Sequence, residues 1–258
     1  MRSLWTGAIG FGLVNIPIKI FSATQDSNLD LDMLDRKSLS PIHYKRVSEA
    51  TGKEVEWGNI IKGYKVNDKY VILDEKDFES ANAIKTKVIE ITDFVNESEI
   101  DPLYYEMPYY LSPDKSGERA YVLLREALEK TKKVGVATFV MRNKESLALL
   151  RPVGNMIVLN RLRFAEEIRD PKEVEVPAKA SVKPGELKMA IALINQLEGK
   201  FDIKQYKDSY AAELMKIIKA KSKGTKITAS PLKVVHSKAT DLMAQLKDSL
   251  GTKRKKAS

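Results

Sequence analysis

The sequence holds no cysteine. Disulfides, thiolate metal sites and thiol nucleophiles are thereby excluded, and the chain suits a reducing compartment. Histidine is almost as scarce, with only His43 and His236. They stand far apart without a neighbouring ligand pattern, so a metal site is not expected. No G-x-S-x-G elbow and no Lys-x-Asp-Gly nucleotidyl-transfer sequence occurs, which leaves serine and lysine nucleophiles unsupported. Long apolar runs are missing as well: the longest clean one, VGVATFVM at 134–141, is far below the ~18 residues of a membrane span.

The opening MRSLWTGAIGFGLVNIP is apolar enough to raise the question of an address or a phosphate loop. Gly7, Gly10, Asn15 and Pro17 interrupt it and no small-x-small cleavage site follows, so a signal peptide is not expected. Gly7, Gly10 and Gly12 fit neither G-x-G-x-x-G nor a P-loop, and Pro17 argues against a helix after them. Gly52-Lys53 also lacks its P-loop context, since position 47 is valine and position 54 glutamate. These glycines read as turn, bulge or close-approach positions.

What is present is charge, unevenly placed. The chain is 43% hydrophobic and 31% charged, a globular balance rather than a disordered one. Residues 1–200 carry 30 Lys+Arg and 30 Asp+Glu, while residues 201–258 carry 14 and 5, so the whole net charge of +9 lies in the C-terminal part. The neutral body is polarised, with eleven acidic and four basic side chains over 68–106 and a basic stretch over 132–163. Such a body can turn a basic wall to a polyanion, although charge runs are more often solvated faces.

The first 165 residues read mostly as strands. Asn67-Asp68 sits between two alternating runs as a hairpin turn, and TKVIEIT, VGVATFVM, SLALLRP and NMIVLNRLRF are further β-rich runs. Short strands in close succession suggest an antiparallel sheet or barrel. The helix GERAYVLLREALEKTKK, with Ala120, Tyr121, Leu124, Ala127 and Leu128 on one face, is expected to pack on it. After Asp170-Pro171 a proline-punctuated connector leads to helices. ELKMAIALINQLEG is expected to be buried, in the chain's own core or against another chain, with Gly199 as its cap; DSYAAELMKIIKAKSKG is amphipathic and ends at Gly224. A last helix is expected after an N-cap at Ser237, followed by a basic tail. The class is mainly β with α, that is α+β.

With chemistry unsupported, binding remains. Cations spread along a β-rich body and a cationic tail suit phosphates, which need charge at many points and no base code. YYEMPYYL is aromatic but lies among acids, so Tyr104, Tyr105, Tyr109 and Tyr110 read as packing, which favours duplex over single strands. An enzyme of nucleic-acid processing and a protein-binding dimeric adaptor are the competing readings.

RSLWTGAIGFGLVNIPIKIFSAT, YKRVSEATGKEVEWGNIIKGY, EIDPLYYEMPYYLSPD, AYVLLREALEKTKKVGVATFVMRNKESLALLRPVG and RFAEEIRDP resemble, in order and spacing, successive segments of the bacterial Ku proteins of non-homologous end joining. The resemblance covers roughly residues 1–224. Where some members carry cysteines this chain has Ser48 and Thr51, so no metal site is implied. The resemblance implies a β-barrel core with a DNA-encircling bridge over 1–170, a connector and helical arm over 171–224, and a flexible basic extension over 225–258. It makes the opening stretch the first barrel strand. It further implies a homodimeric ring on linear double-stranded DNA ends that recruits an ATP-dependent DNA ligase, with no catalysis, cofactor or membrane, at the nucleoid in the cytoplasm. Carried onto this sequence, DNA contacts fall on Lys45, Arg46, Lys53, Lys62 and Lys65 of the bridge, then on Arg142 and Arg151, and on Lys253, Arg254, Lys255 and Lys256 of the tail. Dimer contacts fall on Leu187, Ile191, Ile194 and Leu197 and on the bridge, and ligase contacts on Tyr206, Tyr210, Leu214, Ile217 and Ile218. For each cation the plain alternative is a solvated surface charge.

Overall fold

A computed structural model describes residues 1–81, 87–141, 144–177, 181–225 and 242–251. Arg142, His236, Lys253, Arg254, Lys255, Lys256 and the cap expected at Ser237 lie outside the described residues. The chain forms two compact units, Met1–Asp26 with Asp30–Pro171, and Ser27–Leu29 with Lys172–Ser258.

The first unit is built on a closed barrel in the order β1-β2-β6-β9-β8-β7-β5. Its strands are β1 (Trp5–Phe11), β2 (Val14–Ser22), β5 (Val88–Val95), β6 (Tyr105–Pro113), β7 (Val134–Met141), β8 (Lys144–Val153) and β9 (Met156–Leu162). Alternation drives the closure: Ile16, Ile18 and Ile20 of β2 are fully buried while the residues between them are half-buried. The remaining pair, β3 (Lys62–Val66) with β4 (Lys69–Leu73), forms a separate two-stranded sheet. Helix α2 (Glu118–Thr131) seats Tyr121, Leu124 and Leu128 in the same core as Ile9, Ile89, Phe139 and Leu159. Leu149, on the opposite side of β8 from Ala148 and Leu150, joins a second cluster with Val134 and Leu162, covered by Val95, Ile100, Tyr104 and Tyr105.

The opening apolar run is two strands rather than one. Gly12, at φ +58°, turns the chain between β1 and β2, a conformation that glycine adopts without steric cost. Pro17 sits inside β2 opposite Ala8. Its carbonyl accepts from the Asp114 N–H at 3.0 Å, and in a strand a residue's N and O point to the same side. The proline nitrogen therefore faces β6 just past the last β2–β6 pair, Ile18 with Pro113, and no β1–β2 bond is lost. At Gly7 a side chain would run into the Trp5 ring and the Lys87 carbonyl, so a close approach requires the glycine.

Closure is made by a parallel pair, β1 with β5. Parallel neighbours need a long crossover, and here residues 23–87, after β2, supply it. That crossover holds small hairpins and helix α1 (Glu75–Ala81), a helix within the acidic stretch that charge alone did not suggest. The topology thus obliges the barrel to carry a large extension, and the chain uses it for exposed surface.

In the second unit, α3 (Pro184–Leu197), α4 (Ser209–Ser222) and α5 (Leu242–Gly251) follow the connector. Within the single chain α3 has no buried residue, so burial in the chain's own core is corrected and burial against another chain is left; the expected cap at Gly199 is corrected too, since the helix ends at Leu197 with an extended Glu198. α3 packs with α5, and its half-buried residues Glu186, Met189, Ala190 and Leu193 recur at helical spacing. They mark the side that α5 covers.

Candidate nucleic-acid interface

The crossover places its cations on short, hydrogen-bonded turns. In the first, Leu34 bridges Pro41, and the Asp35 carboxylate accepts from the Ser38 N–H at 2.8 Å and from its hydroxyl at 2.5 Å. These bonds, the hydroxyl's foremost, hold the Asp35 carboxyl below its ordinary range. In the second, Val47 bridges Glu54. The Val55 N–H donates to the Arg46 carbonyl at 2.8 Å and the Ser48 N–H to that of Lys53 at 2.9 Å, with Gly52 at φ +64° in the tip. The third is β3–β4, turned by Asn67 and Asp68 at φ 45° and 65°, the left-handed pair that a tight hairpin requires.

On these turns the expected DNA contacts differ in how they are engaged. Lys45 pairs with Glu54 at 2.6 Å and Lys65 with Asp68 at 2.8 Å, both exposed. The Arg46 guanidinium lies 4.4 Å from the Trp57 ring centroid, and the Lys62 ammonium 4.8 Å from that of Phe78. Lys53 has no carboxylate at ion-pair distance among the described residues, and neither have Arg36, Lys37 and Lys69, which sequence reasoning passed over. Their signal was available: they share the segment and the exposure of the residues that were chosen. Exposed apolar side chains stand among them, including Tyr64, Tyr70, Val71 and Ile72 on both faces of β3–β4.

The basic stretch of the barrel is different. Arg151 donates through Nε to Asn160 Oδ1 at 2.9 Å and pairs with Glu97 at 3.5 Å. Arg161 grips Glu106 through two bonds of 2.6 Å. Lys144 pairs with Glu167 at 3.1 Å, and Arg163 donates to the Tyr105 carbonyl at 2.7 Å. The Arg161 hydrogen bonds hold the Glu106 carboxyl below its usual range, and Glu106 in turn raises the guanidinium. The expected basic wall is thus largely satisfied within the barrel, part of it by Glu97 and Glu106 of the acidic stretch. Two opposite charge runs that looked like separate faces pair with one another.

In the helical unit, the proposed dimer residues Leu187, Ile191, Ile194 and Leu197 are 48% to 66% exposed. They recur at turn spacing, on positions other than those that α5 covers. On the ligase-facing candidates, Tyr206 stacks on Phe201 at 5.9 Å between centroids, and Asp208 caps α4 by accepting from the Ala211 N–H at 3.1 Å. Tyr210 is exposed, Leu214 and Ile217 half-buried, and Ile218 exposed. No helix among the described residues is long and apolar enough to cross a membrane.

Fold and site together define an α+β barrel protein whose long crossover is rich in exposed cations. Residues 10–189 match the Ku family through its Ku70/Ku80 beta-barrel domain. The non-homologous end joining protein Ku of Opitutus terrae is 42% identical over 266 residues, covering 100% of this chain and 96% of that one. Those of Archaeoglobus fulgidus and Bacillus subtilis are 41% and 37% identical, with 89% and 99% of this chain covered and 92% and 83% of theirs. The chain belongs to the Ku family.

Proposed function

We propose that this protein binds the ends of double-stranded DNA without regard to sequence, as a homodimer closed into a ring around the duplex. The bound ring protects the end and recruits an ATP-dependent DNA ligase for repair by non-homologous end joining. The observation that carries this reading is the crossover 23–87 of a Ku family member, exposed throughout most of its length and lined with cations on preformed turns. Phosphate contacts position a protein on duplex without reading bases, and Arg36, Lys37, Lys53 and Lys69 are available for them, with Arg46 and Lys62 held by aromatic rings. The tail cations Lys253, Arg254, Lys255 and Lys256 add to this charge.

Dimerisation is supported by apolar surface that a single chain leaves open. A lone two-stranded hairpin is marginal in water, yet β3–β4 exposes Tyr64, Val71 and Ile72. The uncovered side of α3 is a second such surface. The ligase is assigned to α4 and the Tyr206 turn before it, whose exposed Tyr206 and Tyr210 offer aromatic anchors. The action is binding and recruitment, with no bond made or broken by this chain.

A gel-shift competition tests the reading. Labelled linear duplex is challenged with unlabelled linear or covalently closed DNA of the same sequence and mass. The linear competitor is expected to displace it and the closed circle to displace little; equal competition overturns the ring.

A further inference from the structure

The chain has two tryptophans, and only one is accounted for by packing. Trp5 donates from Nε1 to the Val140 carbonyl at 3.1 Å and meets Phe139 edge-on at 6.3 Å between centroids. Trp57 is 73% exposed even though the Arg46 guanidinium lies over its ring. One face of the indole is therefore occupied by a cation and most of the rest is open. The backbone of each residue is held by hydrogen bonds. The Ile60 N–H donates to the Trp57 carbonyl at 3.2 Å and the Asn59 N–H to that of Glu56 at 3.0 Å. Arg46 is held by the Val55 bond across the second turn, where Lys53 also stands unpaired among the described residues.

We propose that Trp57 and Arg46 form a stacking station for one unpaired base at an overhanging or frayed DNA end, the ring taking the base and the guanidinium the adjoining phosphate. The proposal rests on the end-binding reading above. Stacking on an exposed aromatic tolerates any base, because every base has a π-face. The charge decides between occupants. An apolar protein surface closing over Trp57 would bury Arg46 without a carboxylate, which is costly; a nucleotide brings a π-face and an anion together. Preformed backbone on both sides keeps the ordering cost of binding low. The aromatic cluster visible in the sequence lies among acids, whereas Trp57 meets Arg46 only once the turn folds.

Two measurements on the whole chain test this. Affinity is compared for a blunt duplex and for the same duplex with a short thymidine overhang. The natural protein is expected to prefer the overhang roughly five-fold or more, the scale of a single stacked base, with Trp57→Ala abolishing the preference and Trp57→Phe keeping part of it. Emission is then followed, with Trp57→Phe identifying what Trp5 contributes. Quenching of the Trp57 component by the overhang and not by the blunt duplex supports the station. An overhang preference that survives Trp57→Ala overturns it, and so does Trp57 emission already shielded from a soluble quencher without DNA, which assigns the ring to a second copy of this chain. Loss of preference for linear over circular DNA, by contrast, condemns the end-binding reading itself.

Discussion

Tyr121 ties the helix to the barrel through one oxygen. Its hydroxyl donates to the Leu111 carbonyl at 2.7 Å and accepts from the Ile157 N–H at 2.6 Å, in a site where burial raises the phenol's pKa. Tyr121→Phe leaves a buried donor and a buried acceptor unpaired, so a loss of about 1–3 kcal/mol is expected in urea unfolding. The Glu106–Arg161 pair acts differently because it is charged. Glu106 has a lowered folded pKa, so its contribution is present above the ordinary carboxylate range and is lost as pH falls through the lowered value. Glu106→Gln is expected to cost about 1 kcal/mol at neutral pH. Its unfolding midpoint should converge with that of the natural protein in acid; a gap independent of pH would mean that the pair is not the cause. Arg151→Gln is expected to lower the thermal midpoint while sparing DNA affinity, since Asn160 and Glu97 already engage the guanidinium.

Elements differ in how much of them can be read from the chain. The strand Val134–Met141 and the turn at Asn67-Asp68 were legible because alternation and left-handed turn residues are local signals. The break at Gly12 was not, since an apolar run rich in glycine masks its own turn. The charge runs misled for a related reason: Arg161 meets Glu106 only when β9 pairs with β6, and no local pattern announces that register. Helix α3 is legible as too apolar to stand alone, but its packing on α5 is not, because the two helices lie far apart in the sequence. One side takes α5, and the other, through Leu187, Ile191, Ile194 and Leu197, is left to a second copy in the proposed dimer. Ile191→Glu is expected to weaken self-association roughly ten-fold or more in sedimentation equilibrium, with helix content unchanged because Ile191 is 48% exposed. An unaltered association constant would remove α3 from the interface. The crossover is the element on which DNA affinity should depend: Lys53→Glu combined with Lys69→Glu is expected to weaken duplex binding and to flatten its salt dependence by about one unit for each phosphate no longer neutralised.

At the scale of the molecule, the barrel supplies stability and the extension supplies surface. The parallel closure of β1 on β5 joins the two roles, because it cannot be made without a long crossover. A body of zero net charge over residues 1–200 can hold a polyanion only if its cations are gathered where the polyanion passes. On the barrel Lys144, Arg151 and Arg161 are taken up by carboxylates; on the crossover several cations, among the described residues, have no carboxylate at ion-pair distance. Encirclement follows in the proposed dimer, and topology tests it better than affinity does. The protein is loaded on linear plasmid, the ends are ligated, and salt is raised to a level that strips it from linear DNA. A ring predicts protein retained on the closed circle and released when a restriction enzyme reopens it. Equal loss from circular and linear DNA at the same salt would contradict the account.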